Sequence, residues 1–414
     1  MAATFTALKY PRKPRILFMA EAVTLAHIAR PAKIAAALDT SQYDIFFATA
    51  PRYNSLFPDL PGCHHELWSI DSEQFLNALA KGKKVYSQQI LEKYVIDDLN
   101  LIGKVNPDLI IGDFRLSLSV SARVKKVPYA AISNAYWTVY AQNKYTVPEL
   151  PITRLFKPPI AQLLFSLARP FVFASHCTPL NRIRKNYGLP SLGHDLRAIY
   201  SDADQIWLAD MAEYFPVFPE GAKNVHYLGP LPWSPSGQTP PWWDKLKDIK
   251  PIVYVTLGSS GQINLLPLVL TALSTLPVNV IAVTAGRTTL PAVPNNVLIS
   301  DFLPGDQAAA RASLVICNGG SLSTYQAIQG GTKILAIASN LDQYLNMSYI
   351  IKAGLGETIR AGQANISNIR AAASHLLAQN SCDEVVTNAQ TAANNYSLAA
   401  QLPHLIQQAI KPAQ

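Results

Sequence analysis

The sequence predicts an α/β protein of two doubly wound parallel-sheet domains facing each other across a cleft. Three observations carry that expectation. Short, wholly apolar runs alternate with segments of helical period in both parts of the chain, as strands covered on both faces require. The alternation stops at 229–251, GPLPWSPSGQTPPWWDKLKDIKP, a proline-dense, unpatterned stretch that reads as a linker, and restarts at Ile252. A chain of 414 residues with 49% hydrophobic content is also well beyond one core. The expected division is a first domain over 1–228, the linker over 229–251, a second domain over 252–395 and a closing helical segment over 396–414. Ligands of such sheets bind at the carboxyl ends of strands, so the site is expected in the cleft.

The elements follow in order. Arg15 to Met19 is a short apolar strand, leading into AEAVTLAHIARPAKIAAAL. There Ile28, Ala32, Ala35 and Leu38 recur at helical spacing, with Pro31 near the first turn. Asp44 to Thr49 is the next strand, and a helical region runs on to about Gly103, interrupted near Gly82. PDLIIGD then gives a buried strand ending in Asp113, followed by SLSVSARVKK and the strand VPYAAIS. Residues 136–200 are less regular, and Gln205 to Ala209 reads as the last strand of this half. After the linker come a strand from Ile252 to Leu257, a helix from Leu265 to Leu276, and strands at Val278 to Thr284 and Val297 to Ser300. A last helical stretch runs from about Tyr396 to Ile410.

Composition excludes more than it identifies. The four cysteines, Cys63, Cys177, Cys317 and Cys382, have neither metal nor redox spacing, which fits a reducing, cytoplasmic compartment and no metal site. The N-terminus lacks an apolar core, so no secretory signal is expected. Leu155 to Ala174 is the most apolar candidate span, but Lys157, Pro158, Pro159, Arg169 and Pro170 interrupt it, and it is not expected to cross a membrane. The net charge of +8 comes without the basic runs interleaved with aromatics that a nucleic-acid face needs, so no nucleic-acid partner is expected. A diffuse positive field suits an anionic small molecule or an anionic membrane surface at the inner face. Residues 153–188 mix apolar stretches with Arg154, Lys157, Arg169, Arg182, Arg184 and Lys185. They fit an apolar ligand wall, a lipid-surface contact, or buried helices with solvated basic ends. Oligomeric state leaves no signature.

The most informative stretch is SLVICNGGSLSTYQAIQGGTKILAIASNLDQYLNM, over 313–347. It reads as a strand from Leu314 to Ile316, a Gly319-Gly320-Ser321 turn, a helix opening at Ser323 or Thr324, and a second strand from Lys333 to Ala338. A polar loop ending in Asp342-Gln343 follows. A glycine turn at a helix start lets backbone approach an anion, and the free N–H groups with the helix dipole favour phosphate. Taken alone, such a turn equally well only connects strand to helix.

As a whole the stretch resembles the donor motif of the GT-B glycosyltransferases, whose two Rossmann-like domains use nucleotide sugars, in the UDP-glycosyltransferase and macrolide-glycosyltransferase branch. The matching residues are Asn318, Gly319, Gly320, Ser321, Leu322, Ser323, Gln326, Ala327, Ile328, Gly331, Asp342, Gln343 and Asn346. Three positions depart from the motif. Asn318 stands for a histidine, Leu322 for a glycine, and Gln326 for a carboxylate with one more acceptor oxygen. The resemblance implies that Asn318 to Ser321, with Ser323, hold the pyrophosphate, that Gln326 meets the ribose, and that Asp342, Gln343 and Asn346 belong to the sugar loop. It further implies that the Ser259-Ser260 turn touches a phosphate, that Phe302 and Leu303 lie where backbone reads the base, and that the last helix packs on the first domain. Ser259-Ser260 alone is also a plain turn. Arg287 fits a phosphate contact or a solvated side chain.

In the first half, LAHIARPAKIAAAL resembles the segment that carries the family's catalytic histidine, with Ala26 in place of a glycine and Pro31 one position late. His27 falls at the N-terminal edge of a helix, where an imidazole is favoured as the neutral ring that a general base requires. Asp113, at a strand's carboxyl end, suits a partner that fixes the ring's tautomer, and equally an N-cap for the next helix. Glu21 reads as a surface or capping acid. The reading is therefore an inverting, metal-independent glycosyltransferase without a cofactor, whose co-substrate is a UDP- or dTDP-linked hexose. It would move the hexosyl group to a hydroxyl of a small, apolar acceptor, with His27 as base assisted by Asp113. A nucleotide-sugar epimerase of the same architecture and a non-catalytic binding relative are the alternatives.

Overall fold

The computed structural model describes residues 12–217, 224–235, 239–244, 246, 250–290, 292–379 and 384–410. The N-terminal tail, Cys382 and parts of the expected linker (236–238, 245 and 247–249) lie outside the described residues. Two parallel sheets form, one from each half. The first has the order β3-β2-β1-β4-β5-β6-β7. Its strands are β1 (Arg15–Ala20), β2 (Asp44–Thr49), β3 (Cys63–Glu66), β4 (Leu109–Asp113), β5 (Tyr129–Ser133), β6 (Gln205–Leu208) and β7 (Val225–Tyr227). The second has the order β10-β9-β8-β11-β12-β13. It comprises β8 (Ile252–Thr256), β9 (Asn279–Val283), β10 (Val297–Ser300), β11 (Leu314–Cys317), β12 (Lys333–Ala338) and β13 (Gly356–Arg360).

Helices cover both faces of each sheet, which is why the central strands are apolar on both sides. In the first half they are α1 (Ala26–Ala36), α2 (Ser72–Ala80), α3 (Gln88–Val105), α4 (Leu118–Val124), α5 (Pro151–Leu155), α6 (Pro158–Asn186) and α7 (Leu196–Tyr200). The second half adds α8 (Leu266–Leu273), α9 (Gly305–Arg311), α10 (Ser321–Gln329), α11 (Leu341–Lys352), α12 (Ile366–Ala378) and α13 (Glu384–Asn394). The last helix, α14 (Leu398–Ile410), returns to the first sheet, where Leu402, Leu405 and Ile406 share a core with Ile16, Phe18 and Ile111.

Several expectations change on folding. The polar edge strand β3 lies within the stretch expected to be helical, because CHHE pairs with β2 despite having no apolar signal. Gln205–Leu208 is not the last strand of its half, since β7 adds beyond it. The helix after the Gly-Gly turn opens at Ser321, earlier than Ser323, because Gly320 itself is the N-cap. Pro31 sits in the second turn of α1 and leaves the His27 carbonyl without an amide four residues on. The largest change is at 158–186, where one 29-residue helix runs through Pro170 and Pro179. Its ends are fixed by tertiary contacts: Gln162 bonds the backbone of Tyr145 and Val147, while Cys177, Leu180 and Ile183 are core residues. By length and composition alone this helix is long and apolar enough to cross a bilayer, while both its ends are held in the folded first half.

Candidate functional site

Each sheet reverses its strand order between the first strand and the one that returns beside it, β1 with β4 and β8 with β11. A crevice opens at the carboxyl ends there. Register places Asp113 beside Ala20, and Cys317 beside Thr256. The loop into α1 therefore meets the end of β4, and the turn after β8 meets the turn after β11.

On the first side His27 Nδ1 lies 2.9 Å from Asp113 Oδ1, and its ring stacks on Phe114 at 4.7 Å between centroids. Phe114 holds a left-handed backbone (φ 56), a costly conformation for a bulky residue that turns its ring under the imidazole. Arg30, one turn along α1, closes a fork on the same carboxylate, with Nε donating to Oδ2 at 2.8 Å and Nη2 to Oδ1 at 2.7 Å. Its Nη1 donates to Asn134 Oδ1 at 2.6 Å. Asn134 Nδ2 in turn donates to Asp210, which also accepts from the Ala135 amide and, at 2.8 Å, from the hydroxyl of Tyr325 on α10. A continuous set of bonds thus runs from His27 to the second half. Burial pushes the Asp210 carboxyl up to about 6, against those donors. The fork stops Asp113 from rotating and holds Oδ1 against His27 Nδ1, which also lies 3.2 Å from Arg30 Nη2. Phe75, Tyr86, Tyr94 and Tyr200 belong with Phe114 and Trp137 to the surrounding apolar cluster.

Glu21 is corrected. It is fully buried, accepts from Tyr94 and lies 3.7 Å from Arg115, and burial raises its carboxyl to about 7.

On the second side, Asn318 joins the two turns. Its Nδ2 donates to Ser260 Oγ at 3.1 Å, and its Oδ1 accepts from the Gly320 amide at 3.2 Å. Gly319 adopts φ +81, and a Cβ there would sit 2.9 Å from Met347 Cγ. A Cβ on Gly261 would collide with the Leu257 carbonyl oxygen. Gly320 caps α10 without a side chain, so the amides that open the helix have no side-chain acceptor and face a prospective anion. Arg287 Nη1 braces the neighbouring turn by donating to the Gly258 and Gly261 carbonyls. Ser259 Oγ accepts from the Leu25 amide at 3.4 Å, tying this turn to the start of α1. Between the halves, a narrow crevice is lined by Ala26 and Arg30 on one side and Ser321, Leu322 and Tyr325 on the other.

The remaining positions divide. Asp342 Oδ1 accepts from the Trp137 indole at 2.7 Å, across the cleft. Gln343 Oε1 caps α11 through the Ser339 and Asn340 amides, while its buried Nε2 has no hydrogen-bond partner. Asn346 is wholly buried and bonds Gly319 O and Thr324 Oγ1, bracing the glycine turn from behind. Ser323 Oγ bonds the Gly320 carbonyl. Gln326 Nε2 donates to the Trp233 carbonyl in the linker at 2.8 Å. Phe302 is 43% exposed with its carbonyl accepting from Ser300 Oγ, whereas Leu303 is a core residue.

Sequence reading missed Arg30, Phe114, Trp137, Asp210 and Tyr325. Arg30 was findable from its three-residue spacing to His27, and Asp210 from its place just beyond a strand's carboxyl end, the signal that marked Asp113.

Two doubly wound sheets, an open helix N-terminus on one wall and an oriented histidine on the other define a GT-B glycosyltransferase. No family model matches the chain. A PGL/p-HBAD biosynthesis rhamnosyltransferase of Mycobacterium bovis is 48% identical over 368 residues, covering 89% of this chain and 82% of the relative. A PGL/p-HBAD biosynthesis glycosyltransferase of Mycobacterium tuberculosis is 45% identical over 366 residues, covering 88% and 85%. The chain belongs to this family of PGL/p-HBAD biosynthesis glycosyltransferases. Its fold is shared with the glycosyltransferase of kitacinnamycin (TM-score 0.72, 15% identity, 97% of this chain and all of that one). It is shared as well with the spinosyn rhamnosyltransferase SpnG complexed with thymidine diphosphate (TM-score 0.67, 15% identity, 95% of this chain and all of that one). The relatives and structures named here are glycosyltransferases, and an inactive PGL/p-HBAD biosynthesis glycosyltransferase of Mycobacterium bovis is also 45% identical, over 262 residues covering 63% of this chain and 71% of that relative.

Proposed function

We propose that the enzyme moves a rhamnosyl group from a nucleoside diphosphate, thymidine or uridine diphosphate, to the hydroxyl of an apolar acceptor, with inversion at the anomeric carbon. The observation that carries the reading is that His27, bonded to Asp113, lies in the first turn of α1, whose Ala26 and Arg30 face the uncapped start of α10 across a narrow crevice. His27 Nε2 takes the acceptor's hydroxyl proton as that oxygen bonds to the anomeric carbon. The bond from that carbon to the phosphate oxygen breaks, and its electron pair leaves on the diphosphate. The growing charge is met by the first amides of α10 and by the Ser259-Ser260 turn. Asp113 holds the ring and stabilises the imidazolium that forms.

The donor's other parts have candidate partners. The exposed Phe302 ring offers the base a stacking face. Gln326 Oε1 is an acceptor for a ribose hydroxyl. The unpaired Nε2 of Gln343 is a buried donor that a sugar hydroxyl would satisfy. The aromatic cluster beside His27 favours an apolar acceptor. A relative's rhamnosyltransferase name and the thymidine diphosphate bound to SpnG support the choice of sugar and carrier.

A thermal-shift panel of UDP, TDP, GDP and CDP tests the donor side, since a ligand that binds only the folded state raises Tm by mass action. TDP or UDP is expected to stabilise the wild type. No shift with any of the four at saturating concentration would sink the donor assignment. Release of the diphosphate from its rhamnosyl derivative, dependent on acceptor and lost in His27→Ala, tests the chemistry.

A further inference from the structure

Helix α6 carries a feature that sugar transfer does not use. Only 11% of its most apolar stretch is buried, and one face of the helix is bare. Ile160, Leu163, Leu164, Leu167 and Phe171 follow each other at three- and four-residue spacing, so they form one stripe. Leu163, Leu167 and Phe171 are 61%, 65% and 78% exposed. Leu155 and Phe156, just before the helix, extend the exposed apolar surface. Soluble proteins rarely leave so large a contiguous patch uncovered without a partner.

The charge around the stripe says what kind of partner. Residues 150–194 contain no Asp or Glu, while Arg154, Lys157, Arg182 and Lys185 are exposed. Among the described residues, no ion pair engages any of the four. Continuing the same spacing from Phe171 leads to Thr178, Arg182 and Lys185, so the apolar face becomes cationic about 16 Å farther along the helix. There the helix borders a groove of ≈ 380 Å³ lined by Thr178, Asn181, Arg182, Lys185 and His194. An apolar stripe with cations beyond both ends is the pattern of a helix lying in a bilayer interface.

We infer that α6 docks this enzyme on an anionic lipid surface. The stripe enters the headgroup–acyl boundary, and Arg182 and Lys185 take lipid phosphates. The helix lies on the membrane and does not cross it, because Gln162 and the core residues Cys177, Leu180 and Ile183 tie both its ends to the folded first half. The inner side of the same helix packs in the cluster that includes Phe114, under the His27 ring. Docking would thus bring the bilayer close to the acceptor side of the cleft. The inference stands on α6 alone and does not depend on which sugar or acceptor is used.

Vesicle flotation tests it with the full chain. Wild-type protein is expected to float with phosphatidylglycerol-containing vesicles and to be released by high salt, with little binding to phosphatidylcholine alone. Combining Leu163→Ser, Leu167→Ser and Phe171→Ser should lower the partition on the order of a hundredfold. Arg182→Gln with Lys185→Gln should lower it roughly thirtyfold. Both variants alter exposed side chains, so an unchanged Tm is expected and is the control for folding. Flotation that ignores lipid charge, or that survives the triple change, overturns the inference. So does failure of the wild type to float, or light scattering that shows a dimer becoming a monomer in the triple variant, since the stripe would then be covered by a second copy of the chain.

Discussion

Replacing Asp113 by Asn separates two roles that the geometry gives to one carboxylate. Asp113 is wholly buried and accepts three hydrogen bonds, from His27 Nδ1 at 2.9 Å and from Arg30 Nε and Nη2 at 2.8 and 2.7 Å. Asparagine has the same shape but only one acceptor oxygen. If that oxygen takes the place of Oδ2 and keeps Arg30 Nε, the amide NH₂ faces both Arg30 Nη2 and His27, and forces the proton of the ring onto Nε2, the atom that must accept one. With the opposite orientation the NH₂ opposes Arg30 Nε, and a buried cation keeps only part of its fork. The first outcome lowers kcat on the order of a thousandfold or more, about 4 kcal/mol of barrier. Either orientation opposes one guanidinium N–H and lowers stability by about 2–3 kcal/mol, the worth of a hydrogen bond to a charged group. The assay is diphosphate release under single-turnover conditions, run beside urea unfolding and the TDP-induced Tm shift. The donor cradle lies on the other sheet, so the shift should persist. If Asp113→Asn keeps kcat within about threefold while its stability falls, the oxygen has stayed on His27; if Asp113→Ala also keeps kcat within about threefold, the carboxylate serves Arg30 alone and its role in orienting His27 fails.

Other expectations are as direct. Glu21 has a folded value of about 7 against an ordinary 4.5, so the native state binds its proton more tightly than the unfolded chain does. Its stabilising contribution is present below the ordinary value and is lost as pH rises through about 7. Glu21→Gln should therefore match the wild type near pH 4.5 and exceed it above pH 7 by up to about 3 kcal/mol; a gap in urea unfolding that does not change with pH refutes this. Gly319→Ala places a methyl against Met347 at a positive φ and should cost about 1–3 kcal/mol while abolishing the TDP shift, both read in one thermal-shift experiment. Tyr325→Phe removes a donor to the buried Asp210 and should destabilise by about 1–3 kcal/mol in urea unfolding, more at pH 8 than at pH 5, because the carboxyl left behind is harder to ionise.

Much of the fold was legible because most of its strands are buried on both faces and even the edge strand Val297–Ser300 appears as an apolar run. Asp44–Thr49, Val297–Ser300 and Lys333–Ala338 have the bounds that the sequence suggests. What escaped was whatever tertiary contact decides. CHHE has no apolar pattern and is a strand only because β2 offers it an edge. Pro170 and Pro179 lie within a helix that packing at both ends sustains. In the site, residues tied to glycine turns and strand ends were visible as local motifs. Asn134 and Tyr325 were not, because their meaning lies in bonds to Asp210 that span 76 and 115 residues of sequence. Gln326 shows the limit of motif matching. The residue stands where the family has its acid, yet in this state its amide nitrogen is bonded to the linker.

The hydrogen bond from Trp137 to Asp342 bears on how strictly the enzyme chooses its sugar. Enzymes reject an analogue lacking one hydroxyl most strongly when its absence leaves a buried polar group with no partner. Asp342 Oδ1 is not in that position, since an indole from the opposite wall already supplies it a donor. A sugar hydroxyl displacing the indole from that oxygen would gain only the difference between two similar bonds, and a donor lacking the hydroxyl would forfeit little there. Should Asp342 meet the sugar as proposed, the indole would soften the penalty for a deoxygenated donor, and strict discrimination would fall to groups such as Gln343 Nε2, buried with no hydrogen-bond partner.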